Sequence, residues 1–159
     1  MDKNFNLKYR KAKFEDLARL VELLVEDELG VLRESQGKTL DENYINAFHK
    51  IDSDPHQYLM VVECDDEIVG TCHLTIMPSL TFIGSTRLQI EAVRVAKIYR
   101  GQKIGQWMFD QAILYAKAND VSIIQLMTNK KRSQAKSFYE KIGFEASHEG
   151  MKLYLLKDV

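Results

Sequence analysis

The stretch Ile90-Glu91-Ala92-Val93-Arg94-Val95-Ala96-Lys97-Ile98-Tyr99-Arg100-Gly101-Gln102-Lys103-Ile104-Gly105-Gln106 decides the reading of this chain. From Leu88 to Val95 the residues alternate as in a strand, with Leu88, Ile90 and Ala92 on one side and Gln89, Glu91, Val93 and Val95 on the other. Tyr99 to Gly105 is a loop rich in glycine and basic residues. Apolar residues then return at helical spacing (Ile104, Met108, Ala112, Tyr115), which predicts a helix from Gly105 to Asn119. A strand, a short glycine-containing loop and a helix make a physical anion site. The first helical turn leaves backbone N–H groups unpaired, and the helix dipole favours negative charge beside them. Gly101 and Gly105 let the main chain approach a ligand closely, and Arg100 and Lys103 add charge. A phosphate or pyrophosphate suits such a loop; a plain strand-to-helix turn eased by its glycines is the alternative. Neither the P-loop pattern nor the GxGxxG dinucleotide pattern is present.

Outward from this stretch the period changes twice. Leu7 to Lys11 reads as an edge strand. Phe14 to about Leu32 carries one apolar stripe at a 3.6-residue period, and Asp41 to Ile51 repeats it, with Thr39 or Asp41 as candidate cap. Tyr58 to Cys64 and Ile68 to Ile76 flank Asp65-Asp66 and read as a β-hairpin. Beyond the central helix, Ser122 to Met127 reads as a buried strand. Ser133 can cap a helix through Ile142 with Gly143 at its C′ position, and Met151 to Leu156 reads as a last strand. The expected order is β-α-α-β-β-β-α-β-α-β, a mixed sheet with helices packed on it.

The chain has 159 residues, one domain's worth, and neither linker nor repeat divides it. Its 22 Lys+Arg against 23 Asp+Glu leave a net charge of −1, which removes the global basic field of a dedicated nucleic-acid binder. Cys64 and Cys72 form no CxxC pair and lie in apolar segments, so two reduced thiols in a cytoplasmic protein are expected, with no structural zinc. No run approaches the roughly 18 apolar residues of a membrane span, and the polar first residues do not resemble a signal peptide. His49, His56, His73 and His148 show no metal-ligand spacing; His73 lies in a central strand, where it lines an acceptor site or is a satisfied core histidine.

Three pieces in order resemble the Gcn5-related N-acetyltransferases, the GNAT family: Ile90 to Val95, then Tyr99 to Gly105, then Ala135-Lys136-Ser137-Phe138-Tyr139-Glu140-Lys141-Ile142-Gly143-Phe144. The resemblance runs from about Leu7 to Lys157 and implies a single domain over 1–159 with its core at 7–157. It implies the GNAT fold, an α/β (α+β) arrangement whose mixed, mostly antiparallel twisted sheet has helices on both faces and a splayed central parallel strand pair. It also implies acetyl-CoA as donor, a primary amine as acceptor and no metal. Homodimers are common in that family; no feature here fixes an interface. The family's loop pattern is Q/R-x-x-G-x-G/A. Arg100 and Gly105 match its ends, but Lys103 stands at the middle glycine. A φ above zero there would be strained, and the lysine either points away from the pyrophosphate or adds charge to it.

The chemistry then suggests roles. An alkyl amine with a pKa near ~10 is mostly protonated at pH 7, so a carboxylate that takes its proton is useful. Glu91, expected on the face of Val93 and Val95, is the candidate general base; a structural ion pair with Arg87 or Arg94 is the alternative. The resemblance makes the Val93 N–H the candidate oxyanion donor, with Val93, Arg94 and Val95 along the pantetheine arm. It makes Arg100, Gly101, Gln102, Lys103, Ile104, Gly105 and Gln106 the pyrophosphate loop, and Tyr139 the acid that reprotonates the departing thiolate; a core aromatic is the alternative for Tyr139. Asn129 and Arg132 are further candidates for CoA. The expected acceptor side is Glu26 to Lys38 and Ser79 to Arg87, where Glu26-Asp27-Glu28 either attracts a cationic amine or is a solvated face.

Overall fold

The computed structural model describes residues 5–27, 29–31, 34, 37 and 39–155. Among these residues five strands form one sheet in the order β1-β2-β3-β4-β5: β1 (Leu7–Lys11), β2 (Gln57–Cys64), β3 (Glu67–Pro78), β4 (Thr86–Val95) and β5 (Ile123–Leu126). β1 to β4 pair antiparallel and β5 joins β4 parallel. The hairpin between β2 and β3 turns on Asp65 and Asp66, both at positive φ (50° and 65°), the geometry that matches the strands' own twist.

The helices are α1 (Leu17–Val25), α2 (Glu42–Ser53), a one-turn α3 (Thr81–Gly84), α4 (Ile104–Ala118) and α5 (Ser133–Lys141). α1 and α2 cover one face of the sheet, where Leu17, Leu20, Val21 and Phe48 meet Val61. α4 covers the other, where Ile104, Met108, Phe109, Ala112 and Ala116 meet Met60, Val62, Cys72, Leu74, Leu88 and Ile90, and α5 with its C-cap adds Phe138, Tyr139 and Ile142. Helices therefore lie on both faces, as expected. Asp41 caps α2 by accepting from the Asn43 N–H at 2.8 Å. Gly143, at φ 102°, closes α5: the Phe144 N–H reaches the Tyr139 carbonyl at 3.0 Å and the Gly143 N–H that of Glu140 at 3.1 Å, a Schellman pair.

Several expectations change. The first helix ends at Val25 rather than near Leu32, which lies outside the described residues. Beyond it the Glu26 and Asp27 carboxylates are taken up by β4 and its following loop, and the chain turns at Gly30, where a Cβ would stand 1.8 Å from the Leu24 carbonyl oxygen. α5 has Arg132, not Ser133, at its N-cap, because an Asx turn at Asn129 sets where the helix starts. Met151 to Leu155 forms no strand, and Leu156 lies outside the described residues. Met151, Leu153 and Leu155 are 86–92% exposed; alternation without a partner edge makes no ladder.

Candidate active site

The central strand does not alternate straight through. Thr71 pairs with Arg94 and His73 with Glu91, so β4 spends one residue more than β3 across this step. The extra residue makes a β-bulge, with Ala92 in the left-handed region at φ 50°. A one-residue slip moves every later side chain to the other face. Glu91 therefore does not share a face with Val93 and Val95. Those valines turn inward to the Leu88 and Ile90 core, while Glu91 lies exposed on the α1–α2 side, opposite His73.

The bulge coincides with a second break. β5 pairs with β4 only from Arg87 to Ile90, so residues 91–95 of β4 have no β5 partner. The ladder between the two parallel strands stops there, since β5 ends at Leu126, and the bulged main chain around Val93 borders this gap in the pairing.

At the end of β4 the Val95 carbonyl accepts from Arg100 Nε at 3.0 Å, and the Ala96 N–H bonds the Val69 carbonyl at 2.8 Å. The loop then turns on Gly101 (φ 75°) and on Lys103 (φ 65°), which serves as the N-cap of α4. Lys103 thus takes up the positive φ that its place in the pattern demands. From Gly101 to Gln106 no backbone N–H reaches an acceptor among the described residues; the first bond into α4 is Trp107 N–H to the Lys103 carbonyl. A run of unpaired amides at a helix start, in alternating handed conformations, is an anion-binding concavity. Gln102 and Gln106 turn their own amides elsewhere, to the Ile98 carbonyl and the Asp110 carboxylate. At Gly105 a Cβ would meet only ordinary contacts, Phe138 Cζ at 3.7 Å and Val95 Cγ2 at 3.9 Å, so the fold itself does not require glycine there. Along the same face of α5 runs a groove of about 420 Å³ lined by Ser133, Gln134, Ser137, Phe138 and Lys141.

Tyr139 packs among Phe109, Phe138 and Phe144, with ring centroids 5.5 to 6.1 Å away. Burial pushes its phenol above the ordinary value of 10, while Arg132 and Arg94 pull it back. Its hydroxyl makes no hydrogen bond among the described residues, so it is a protonated phenol with its proton uncommitted. Arg94 and Arg132 converge instead on Asp27: Arg132 bonds the carboxylate and Arg94 lies 3.6 Å from it. Asn129 is occupied in its turn, accepting from the Lys131 N–H at 2.9 Å. Glu26 accepts from the Lys97 N–H at 2.8 Å and pairs with Arg19. Glu26 and Asp27 are therefore neither a free acidic attractor nor a solvated face. Glu28, Leu32, Arg33, Ser35, Gln36 and Lys38 of the expected acceptor side lie outside the described residues.

The acetyltransferase (GNAT) family model matches residues 17–144. This chain belongs to the GNAT family. It is an acyltransferase by that membership, and the family uses acetyl-CoA. The chain is 41% identical to a transcriptional regulator from Bacillus halodurans C-125, with a TM-score of 0.91 over 94% of this chain and all of that one. It is 25% identical to a Trypanosoma brucei acetyltransferase, with a TM-score of 0.74 over 94% of this chain and all of that one. It is 24% identical over 98 residues to a Bacillus subtilis (strain 168) protein named as a candidate N-acetyltransferase for the alanine of ribosomal protein bS18. That match spans 62% of this chain and 60% of the relative.

The family signal was readable in the loop; the bulge was not. A left-handed alanine in a strand has no local signature, since Glu91-Ala92-Val93 fits plain alternation equally well. Among the described residues no group of His, Cys, Asp and Glu is placed to hold a metal ion, and no helix is long and apolar enough to cross a membrane.

Proposed function

We propose that this protein moves an acetyl group from acetyl-CoA to a primary amine by direct attack within a ternary complex. The run of unpaired amides from Gly101 to Gln106 carries the reading, because it lies at the end of a strand whose second half has lost its parallel partner. The diphosphate sits on those amides, with Arg100 and Lys103 adding charge. Val93, Arg94 and Val95 run beside the pantetheine arm, and the thioester enters the gap. There the Val93 N–H meets the oxyanion as it forms; such a donor supplies roughly 3 kcal/mol. Tyr139 gives its proton to the departing thiolate, and Glu91 draws the cationic amine from the opposite face. Arg132 turns to CoA by loosening its hold on Asp27, whereas Asn129 donates from Nδ2 while its Oδ1 keeps the Lys131 N–H. Two free, buried cysteines support a cytoplasmic setting.

Acetyl-CoA at about 100 times its dissociation constant should stabilise the fold by ~2.7 kcal/mol. For a chain of this length that raises the melting temperature by roughly 5–10 °C. No shift with any acyl-CoA rejects the proposal. A second reading, a CoA-binding sensor without turnover, is supported by the likeness to a protein called a transcriptional regulator. A sensor binds acetyl-CoA but releases no thiol with a panel of amines; an enzyme releases thiol in step with acetylated product.

A further inference from the structure

On the face covered by α1 and α2, the apolar core stops at Leu59 and Val61, and a polar row takes over toward the gap. Its centre is His73, paired with Leu59 of β2 on one side and with Glu91 of β4 on the other. His73 is the last paired β3 residue before the bulge, and its partner Glu91 is the first β4 residue without a β5 partner.

The network around the ring fixes which nitrogen holds the proton. Gln57 points its amide nitrogen at the Asp54 carboxylate (3.5 Å), which leaves its oxygen facing His73 and Thr75. That oxygen accepts from the Thr75 hydroxyl at 2.8 Å and lies 2.6 Å from His73 Nε2. A carbonyl oxygen cannot donate, so Nε2 carries the hydrogen and Nδ1 carries the lone pair. Nδ1 makes no hydrogen bond among the described residues. Burial disfavours the charged ring and Glu91 favours it, with burial the larger effect, so the imidazole is neutral at pH 7. Among the described residues Glu91 is the one charged group that acts on the ring; Asp54 stands behind the Gln57 amide. Residues directly opposite on neighbouring strands have Cβ atoms about 4.5–5.5 Å apart, so one amine can touch both side chains.

We propose that His73 Nδ1 is the base that deprotonates the acceptor, and that Glu91 holds the incoming ammonium and steadies the imidazolium that results. The proposal rests on the acetyl-transfer reading above. The acceptor arrives as R–NH3+ and is drawn to Glu91. Nδ1 takes one proton, leaving R–NH2 and an imidazolium paired with Glu91. The nitrogen lone pair attacks the thioester carbonyl carbon, the C–N bond forms and the carbonyl electrons move onto oxygen. As they return, the C–S bond breaks and the sulfur takes that pair together with the Tyr139 proton. The proton still on the new amide nitrogen restores Tyr139 through water, and His73 loses its own to solvent. The balance is ammonium plus thioester giving amide, thiol and one proton.

Two measurements test this. Long-range 1H–15N spectra of the histidine-labelled protein, with His73→Gln as the assignment control, should show an Nε2–H ring that titrates below the ordinary value of ~6.5. An Nδ1–H ring, or an imidazolium at pH 7, overturns the assignment without any acceptor. Thiol release is then followed from pH 5 to 9 with acetyl-CoA and, as amine probes, spermidine and an alanine-initiated peptide. His73→Gln should lower kcat on the order of 10²-fold and remove the acid limb of the pH profile, leaving the acetyl-CoA dissociation constant unchanged. Gln57→Glu places a carboxylate against Nε2–H and should move that limb to higher pH, which a purely structural role would not do. An active wild type whose His73→Gln variant keeps the same profile sinks the histidine alone. A wild type that releases no thiol with either amine, or with a wider panel, sinks the transfer reading and this role with it.

Discussion

Replacing Lys103 separates strain from charge at the anion loop. Lys103 sits at φ 65° and ψ 6°, a left-handed conformation that costs a residue with a Cβ roughly 1–2 kcal/mol. Glycine escapes that cost but loosens the unfolded chain by about 0.4–1 kcal/mol, so Lys103→Gly should stabilise the protein by ~0.5–1 kcal/mol. In a chain of this length the melting temperature then rises by roughly 1–4 °C. Lys103→Ala keeps the Cβ and the strain, and should melt as the wild type does. Both variants lose the same ammonium. A unit charge 4 Å away in water is worth about 1 kcal/mol, so each should bind acetyl-CoA up to about five-fold more weakly. Differential scanning fluorimetry without ligand reads the first effect and isothermal titration of acetyl-CoA the second. Glycine and alanine variants that melt together would show that the loop is not held left-handed. Unchanged affinity in both would show that Lys103 never meets the diphosphate.

Three further outcomes follow from the same geometry. Gly105→Ala meets only ordinary contacts and removes a glycine from the first turn of α4, so the fold should gain up to ~1 kcal/mol while acetyl-CoA binding weakens ten-fold or more; unchanged affinity refutes close approach of a ligand at that position. Tyr139→Phe removes a hydroxyl that bonds nothing among the described residues, so the melting temperature should stay within about 1 °C while kcat drops on the order of 10²-fold; an unchanged kcat removes the phenol from the chemistry. Asp16 accepts from Arg10 at 2.7 and 3.0 Å and from the Lys13 N–H at 2.7 Å, and the Arg10 guanidinium holds its carboxyl below the ordinary 3.8. Its folded pKa is depressed, so its contribution is complete above the unfolded value and fades as pH falls through the folded one. Asp16→Asn should therefore cost ~2–3 kcal/mol at pH 7 and much less near pH 2 by urea unfolding; an equal cost at both rules out the ion pair as its origin.

What was legible in the sequence is what repeats or turns. The stripes on α1, α2 and α4 set helix positions because burial follows a fixed period, and the Asp65-Asp66 and Gly143 positions announce left-handed turns. The loop from Arg100 to Gly105 was readable because glycine and basic residues gather at a strand-to-helix junction. The faces of β4 were not. Alternation carries no record of a bulge and puts Glu91 with Val93 and Val95, whereas the strand register sets it opposite His73. The end of α1 escaped for a related reason: its stripe gives no sign that Glu26 and Asp27 serve distant residues of β4, its following loop and the turn before α5. The expected last strand is absent because apolar alternation describes a surface ready to pair, and Met151 to Leu155 pairs with no strand among the described residues.

The bulge ties these findings into one cause. A straight β4 would send Val93 and Val95 toward the α1–α2 face with Glu91, leaving the α4 side without two of the side chains that pack against its core. It would also keep its main chain in the ladder with β3 through the stretch where the gap opens. The extra residue at Ala92 resolves both demands together. It turns the valines inward, so the core closes behind the gap, and it leaves Glu91 outward beside His73. The inward packing of both valines thus depends on a single left-handed alanine. Ala92→Gly relieves the strain and should raise stability by up to ~1 kcal/mol, since glycine adopts that conformation freely. Ala92→Val, β-branched and hostile to positive φ, presses the strand toward plain alternation. It should destabilise by at least 2 kcal/mol, because restoring alternation drags the inward valines out of the core. Equal melting temperatures for the glycine and valine variants would mean that the bulge is not what sorts the two faces of this strand.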